Sequence, residues 1–252
     1  MKFQLDPNLM GILQDTYNNR RLALSEYSGK TRLYEKGNYY VPRVTVLLDT
    51  IKEDYLLQWA NSLGWKRMSY TKTLQTYADI GTLVHNEIEN YLKNGIPGIS
   101  PGFLSFNEWW ERFTSLNKVT NIESELSLEC PYFCGTTDLF LTANGRNCLV
   151  DFKTSKHIGY KYIMQLAAYT YILQTELNRP IDYCIIFQVD KTQPYKYQAY
   201  LYDLLNPEFS ELFSYALEYV MHLSCGFAYN YFIRGRFDET EDDVKMREMK
   251  LL

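Results

Sequence analysis

The sequence predicts a mixed α/β domain, of the α+β kind, in which helices come first and strands follow. Apolar residues recur at helical spacing through most of the first half of the chain. From Glu123 they recur at every second position, which is the period of a strand. Helical and strand patterns then alternate, as they do in domains whose sheet is covered by helices.

Three helices are predicted in the first half. The clearest covers residues 70–93, whose apolar side chains form one stripe made of Ile80, Leu83, Val84, Ile88, Tyr91 and Leu92. The stretch 94–102 contains three glycines and two prolines, so we expect a loop there. The other two helices are predicted at residues 53–63 and 105–117.

A group of three strands is predicted next, at residues 123–128, 133–142 and 147–153. The dipeptide Asn144-Gly145 separates the second strand from the third, and Asn-Gly is typical of a two-residue hairpin turn. These two strands are therefore expected to pair antiparallel.

The rest of the chain is predicted to form a helix at 160–177, strands at 181–189 and 195–202, and a helix that begins at 207. We expect one domain over residues 1–237. It is divided into a helical lead-in at 1–117, a core at 78–202 and a C-terminal helix at 207–231, with an acidic tail at 238–252.

The net charge of −4 does not favour a protein whose whole surface binds a polyanion, because phosphate contacts need lysine and arginine. Residues 238–252 carry six acidic and three basic side chains, so the tail accounts for three of the four charges. A nearly neutral body leaves room for a local basic groove. A chain of 252 residues buries roughly 70–75% of its unfolded surface, enough for one well-packed domain.

Five cysteines without a hydrophobic signal segment indicate a reducing compartment, and we expect an intracellular location, cytoplasmic rather than organellar. Cys130 and Cys134 are the one close pair, and without a second Cys/His pair they are interpreted as small buried hydrophobic residues. No apolar run reaches the ~20 residues of a membrane helix, so no membrane association is expected.

The third predicted strand carries the first candidate catalytic residues. Alternation places Asp151 and Lys153 on one face of this strand, while Val150 and Phe152 point to the other. Asp138 lies on the partner strand, from which its side chain can converge with that pair. Two carboxylates from paired strands suit Mg²⁺ or Mn²⁺, and such an ion with a neighbouring ammonium can promote attack on a phosphoryl group.

The short motifs are weak when taken singly. The tail repeats the Asp-x-Lys spacing at Asp243-Val-Lys245, and Gly235-x-x-Asp238 repeats the spacing of Gly135-x-x-Asp138. Neither tail copy lies in an apolar strand pattern. A predicted strand under each carboxylate and a turn between them therefore distinguish the candidate site.

His85 lies on the predicted 70–93 helix, one turn after Gly81 and one turn before Glu89. A glycine at this position would leave room beside the imidazole, which makes His85 a candidate metal ligand. Glu89 either orients the ring or is solvated, and the spacing does not decide between the two.

A second group of polar residues follows Lys153. Gln165 and Tyr169 share one face of the predicted 160–177 helix, where they can contact phosphate or base, or simply pack. The most basic and aromatic patch is formed by Lys153, Lys156, His157, Tyr160, Lys161 and Tyr162. Such a patch suits single-stranded nucleic acid, although a solvated loop has the same composition.

In chain order these motifs resemble those of the RecB-type nucleases in the PD-(D/E)XK superfamily. They are Gly81-x-x-x-His85, Gly135-x-x-Asp138, Asp151-Phe-Lys153-Thr-Ser and Gln165-x-x-x-Tyr169. Residues 40–48 and the helix that carries Trp59 are similar to the lead-in of the mitochondrial genome maintenance exonucleases and related phage exonucleases. The resemblance covers about residues 39–222, and the ordered set is specific where each single motif is not.

The resemblance implies a restriction-endonuclease-like αβββαβ core with an N-terminal helical elaboration. It implies a divalent ion, Mg²⁺ or Mn²⁺, held by His85, Asp138, Asp151 and the carbonyl of Phe152, with Lys153 as the catalytic lysine. Gln165 and Tyr169 would lie near DNA, as would Glu123, which stands at the family's spacing before the Gly-x-x-Asp strand. Relatives with an iron-sulfur cluster use four cysteines in an arrangement that this chain lacks, so no cluster is expected.

The expected activity is metal-dependent hydrolysis of DNA phosphodiester bonds. We expect an exonuclease that acts on single-stranded ends in replication, recombination or repair, with proteins of those processes as partners. A structure-specific endonuclease would use the same residues. The alternatives outside catalysis are a DNA-binding or regulatory protein on the same fold, and a structural protein in which Asp138, Asp151 and Lys153 form a buried ion-pair network.

Overall fold

The computed structural model describes residues 3, 5–18, 33–36, 39–51 and 54–228. This part of the chain forms seven helices and seven strands. The helices are α1 (Pro7–Asn18), α2 (Val44–Leu48), α3 (Asp54–Trp65), α4 (Tyr70–Asn94), α5 (Pro101–Leu116), α6 (Tyr160–Thr175) and α7 (Pro207–Ala228). The strands are β1 (Leu33–Lys36), β2 (Tyr39–Pro42), β3 (Val119–Glu129), β4 (Cys134–Ala143), β5 (Arg146–Lys153), β6 (Tyr183–Val189) and β7 (Tyr197–Asp203).

Strands β3 to β7 form one mixed sheet in the order β3-β4-β5-β6-β7. Strands β5 and β6 are parallel and are connected through α6, whereas every other neighbouring pair in this sheet is antiparallel. The predicted hairpin joins β4 to β5. Asn144 and Gly145 have φ values of +53° and +78°, the left-handed conformation that such a turn requires at both central residues.

Two apolar clusters cover opposite faces of this sheet. On one face, Val150 and Phe152 pack with residues of α4 and α5, among them Val84 and Phe106. On the other face, the neighbouring residue Leu149 packs with residues of α1, α2, α6 and α7. The alternation predicted for β5 is thus confirmed, and the sheet lies between two layers of helices.

The start of α4 and the loop after it follow from local chemistry. Ser69 caps the start of α4 by accepting a hydrogen bond from the Lys72 amide, and Gly95 ends the helix in the left-handed conformation. Ser100 then caps α5, whose first residue is Pro101. A loop is present where it was predicted but covers only residues 95–100 instead of 94–102, because α5 begins four residues earlier than the predicted residue 105.

The lead-in at 1–117 was expected to be helical, and this expectation is wrong in part. Strands β1 and β2 lie inside it and pair antiparallel, from Leu33 opposite Pro42 to Lys36 opposite Tyr39. Strand β3 begins at Val119 instead of residue 123, since Val119 and Thr120 also pair with β4 before an irregularity between Thr120 and Glu123. The acidic tail and the predicted helical residues 229–231 lie outside the described residues.

Among the described residues, no helix has the length and apolarity that spanning a membrane requires.

Candidate active site

The hairpin of β4 and β5 places two aspartates close together at one end of the sheet. Leu139 pairs with Val150, so Asp138 and Asp151 lie one residue beyond this pair on their strands. The Asp138 carboxylate accepts a hydrogen bond of 2.6 Å from the Phe152 amide. This bond joins the end of β4 to β5 and fixes the direction of the carboxylate.

Asp151 and Lys153 form a buried ion pair. The Lys153 ammonium lies 2.9 Å from Asp151 Oδ1 and 2.7 Å from Asp151 Oδ2. The side chain of Asp151 is only 3% exposed and that of Lys153 15%. Within the described chain, Asp151 Oδ2 accepts no bond of proper hydrogen-bonding geometry, which leaves this buried oxygen incompletely satisfied.

Helix α6 holds the lysine from the other side. Lys153 donates a hydrogen bond of 3.1 Å to Gln165 Oε1, and the ammonium lies 4.7 Å from the centre of the Tyr162 ring. Gln165 in turn donates to the Tyr169 hydroxyl at 3.3 Å. Gln165 and Tyr169 are buried, so both side chains face the lysine and the sheet instead of an open surface.

The Gly135-x-x-Asp138 motif is connected to Gln165-x-x-x-Tyr169 by direct packing. A Cβ atom at Gly135 would lie 2.5 Å from the Tyr169 Cε1 and hydroxyl oxygen atoms. Real Cβ atoms do not approach other atoms so closely, so the Tyr169 ring takes the place that any other side chain at residue 135 would occupy. The spacing of the two motifs did not reveal this contact.

His85 projects from α4 toward the same end of the sheet. Its Nδ1 atom lies 3.3 Å from Asp138 Oδ1. Gly81 was expected to leave room beside the imidazole, but the atom nearest to a Cβ built at residue 81 is the Thr154 hydroxyl, at 3.0 Å. The glycine therefore allows α4 to approach the residue that follows β5, and this approach brings His85 to Asp138.

Glu125 joins this group, although the sequence analysis did not single it out. It lies across from Asp138, between the paired positions Ser124/Leu139 and Leu126/Thr137. One ligand atom each from His85, Glu125 and Asp138 lie within 4.8 Å of one another. Glu125 has a φ of +54°, an uncommon conformation for a non-glycine residue and one that often occurs at functional sites.

The other predicted site residues lie elsewhere. Glu123, two residues from Glu125, forms an ion pair of 2.7 Å with Arg179 and is not part of the triad. Lys156 is exposed and Lys161 is half-buried, and neither lines the pocket beside the triad. Glu89 does line this pocket, and its carboxylate pairs with Lys93 at 2.6 Å.

The pocket beside the triad is an open cleft of about 430 Å³. Helix α4 provides one wall, β3 and β4 provide the carboxylates, and the segments after β5 and β6 close the rest. Its lining residues are Tyr77, Ala78, Gly81, Thr82, His85, Asn86, Glu89, Glu125, Asp138, Thr154 and Lys191.

The charges at the site perturb one another. Burial lowers the pKa of His85, but the Asp138 carboxylate outweighs burial, so the pKa is raised. Burial raises the pKa of Asp138, but the interaction with His85 lowers it more strongly, so the pKa of Asp138 is lowered overall. Burial raises the pKa of Glu125. It also raises the pKa of Asp151 to about 6, against the opposing charge of Lys153.

Comparisons with known proteins do not name a family. No family profile matches the chain, and no curated protein matches it. A solved structure described as "Crystal structure of SSO0001" is similar over 86% of this chain and 87% of that chain, at 14% sequence identity and a TM-score of 0.38. Such a likeness is too weak to support any conclusion about fold or function.

The donor set fits a hard or borderline divalent cation. One imidazole nitrogen and the oxygens of Glu125 and Asp138 can converge on one point, and such mixed N/O sets bind Mg²⁺, Mn²⁺ or Zn²⁺. On the neighbouring strand, the buried Asp151 Oδ2 lies 2.7 Å from the Lys153 ammonium but accepts no hydrogen bond of proper geometry within the described chain. The arrangement combines a cation site with a buried lysine beside it.

Proposed function

We propose that this protein is a metal-dependent deoxyribonuclease with a PD-(D/E)XK core. The observation that supports the proposal most is the meeting of a helix-borne histidine, two hairpin aspartates and a buried lysine at one end of the sheet. These residues come from three short motifs, the first carrying His85, the second Asp138, and the third both Asp151 and Lys153. A structural ion-pair network would not need His85 and Glu125 at an open cleft.

In this proposal the ion is held by His85, Glu125 and Asp138, and the resemblance adds Asp151 and the Phe152 carbonyl. A bound Mg²⁺ or Mn²⁺ would polarise a phosphoryl oxygen and lower the pKa of a water molecule toward neutrality. Asp138 has a role besides ligation, because its bond from the Phe152 amide aligns β4 with β5. The triad can therefore keep its shape before an ion binds.

Lys153 acts on the attacking water or on the charge that develops on the phosphoryl group. Asp151 and Gln165 hold its ammonium in place beside the two aspartates. Gln165 and Tyr169 are positioning residues in this proposal, because their burial keeps them from touching DNA directly. This replaces the role in DNA contact that the resemblance implies for them.

The proposed substrate is DNA, and an exonuclease that acts on single-stranded ends remains the preferred activity. An endonuclease would share every residue of the site and would differ only in how far the cleft extends. A binding or regulatory protein on the same fold would hold DNA and the ion without turnover. Cleavage assays on linear and circular strands distinguish these possibilities.

The decisive experiment compares linear strands labelled at the 5′ or 3′ end with a circular strand, each in Mg²⁺, Mn²⁺ or EDTA. We expect metal-dependent cleavage of the linear strands, and a loss of at least about 100-fold in Lys153→Met because it removes a group that acts in the transition state. Lys245→Met is the matched control, because Lys245 belongs to the second Asp-x-Lys of the chain. Its activity should equal that of the wild type.

Intact linear, circular and branched DNA at every ion concentration would contradict the proposal. Equal losses in Lys153→Met and Lys245→Met would contradict the assignment of Lys153. Cleavage of the circular strand would favour an endonuclease over an exonuclease.

A further inference from the structure

The lining of the cleft includes a lysine and an aromatic ring in contact. Lys191, in the turn between β6 and β7, donates a hydrogen bond of 2.8 Å to the Tyr77 carbonyl oxygen on α4. Its ammonium also lies 5.1 Å from the centre of the Tyr77 ring. These two residues are 114 positions apart, and both line the cleft that contains His85, Glu125 and Asp138.

Lys191 is held in place, and its ammonium still has N–H donors for a ligand. Asp190 accepts hydrogen bonds from the Thr192 and Gln193 amides, and these bonds stabilise the turn that carries Lys191. In the described part of the chain, no carboxylate lies within ion-pair distance of Lys191. Burial lowers the pKa of its ammonium. An ammonium has three N–H donors, and the Tyr77 carbonyl uses one of them.

Lys191 differs in charge from the acidic residues that line the cleft with it. Among the lining residues that the structure describes, Lys191 is the one lysine or arginine, while Glu89, Glu125 and Asp138 are acidic. A polyanion would therefore meet one fixed cation in the cleft. The Tyr77 ring beside it is 37% exposed and is backed by Trp59, whose ring centre lies 6.1 Å away. A supported, partly exposed ring is suited to stack against a base.

We propose that Lys191 and Tyr77 form a nucleotide subsite for single-stranded DNA, in which Lys191 binds a phosphate next to the reacting one and Tyr77 stacks on an unpaired base. The inference rests on the proposed nuclease function and assigns two substrate-positioning residues to it. Neighbouring bases cover both faces of a base inside a duplex, so the subsite favours an unpaired strand.

The test measures binding of a fluorescein-labelled oligothymidylate to the full chain in Ca²⁺, over a series of salt concentrations. Each phosphate contact to a single strand contributes about 0.7 to the slope of log affinity against log salt. Lys191→Met should reduce this slope by about 0.7. Lys191→Arg and Lys118→Met should leave it unchanged, since the first keeps the charge and the second removes an exposed lysine outside the cleft.

Tyr77→Ala should weaken binding at least about fivefold, the lower limit for losing one stacked base, and Tyr77→Phe should bind as the wild type does. Lys191 also joins the turn to α4, so Lys191→Gln serves as a second neutral variant that retains a donor for the Tyr77 carbonyl. Thermal unfolding of every variant establishes that the proteins compared are folded.

An unchanged slope in both neutral Lys191 variants would overturn the subsite, and so would an equal change in Lys118→Met. These results are independent of turnover. If the Lys191 variants show the expected slope while the wild type never cleaves DNA in Mg²⁺ or Mn²⁺, the subsite stands and the nuclease proposal fails. If the wild type cleaves DNA and the Lys191 variants bind it as the wild type does, the nuclease proposal stands and the subsite fails.

Discussion

Replacing Gly135 by alanine should destabilise the protein because the new methyl group has no space. A Cβ at this position would lie 2.5 Å from two atoms of the Tyr169 side chain and 2.7 Å from a third. Tyr169 is only 2% exposed, and Gln165 holds its hydroxyl at 3.3 Å, so the ring cannot move away freely. The clash must be relieved by shifting either the ring or the strand.

The size of the effect follows from two opposing contributions. Overpacking of a buried site costs about 1–3 kcal/mol, whereas alanine restricts the unfolded chain and returns about 0.4–1 kcal/mol. From the midpoints of these two ranges, we expect Gly135→Ala to lower the free energy of unfolding by about 1.3 kcal/mol. Gly226→Ala is the matched control, because a Cβ there meets nothing within 4 Å and the residue lies in α7. That change should stabilise by up to about 1 kcal/mol.

Urea unfolding of the two variants measures both changes, and the slopes should match that of the wild type. The double variant Gly135→Ala/Tyr169→Ala identifies the cause. If the clash with the ring is responsible, the two substitutions are not additive, because removing the ring removes the clash. A Gly135→Ala protein as stable as the wild type, or additive costs in the double variant, would refute the packing argument.

Two further predictions concern the triad and the β6–β7 turn. Glu125→Gln should weaken Mn²⁺ binding at least about tenfold by calorimetry, the scale on which lost metal-site groups act, whereas Glu123→Gln should not. Equal affinities in both variants would remove Glu125 from the metal site. Asp190 has a pKa lowered to about 2, chiefly by the hydrogen bond from the Thr192 amide, so its stabilisation is complete above the usual carboxyl pKa of 3.8 and is lost as pH falls through about 2. Asp190→Asn should therefore reduce the loss of stability between about pH 4 and pH 2 in urea unfolding, and an unchanged acid profile would contradict this.

The helices and strands from α3 onward were predictable because they depend on neighbouring residues, whereas α1, α2, β1 and β2 were not predicted. The helical stripe of α4, the apolar alternation of β5 and the Asn144-Gly145 turn each express a local periodicity or a local backbone preference. The same alternation correctly placed Asp151 and Lys153 together on one face. Hairpin pairing then brought Asp138 beside them, because a short turn leaves few possible registers.

The contents of the cleft depended on contacts between distant segments. Glu123 and Glu125 look equivalent in the sequence, since both lie on the same face of one predicted strand. The backbone conformation at Glu125 and the register of β3 against β4 direct one carboxylate to the triad, while the other reaches Arg179.

Period, turn preference and spacing within a strand were enough to predict the elements from α3 onward, the β4–β5 hairpin and the shared face of Asp151 and Lys153. Three contacts became visible in the folded chain alone: Tyr169 packs on Gly135, α4 approaches Thr154 across Gly81, and Lys191 reaches Tyr77. The physical reason is that these contacts depend on how two helical layers settle on one sheet. That arrangement is set by the volume and shape of the whole core, which no single stretch of sequence contains.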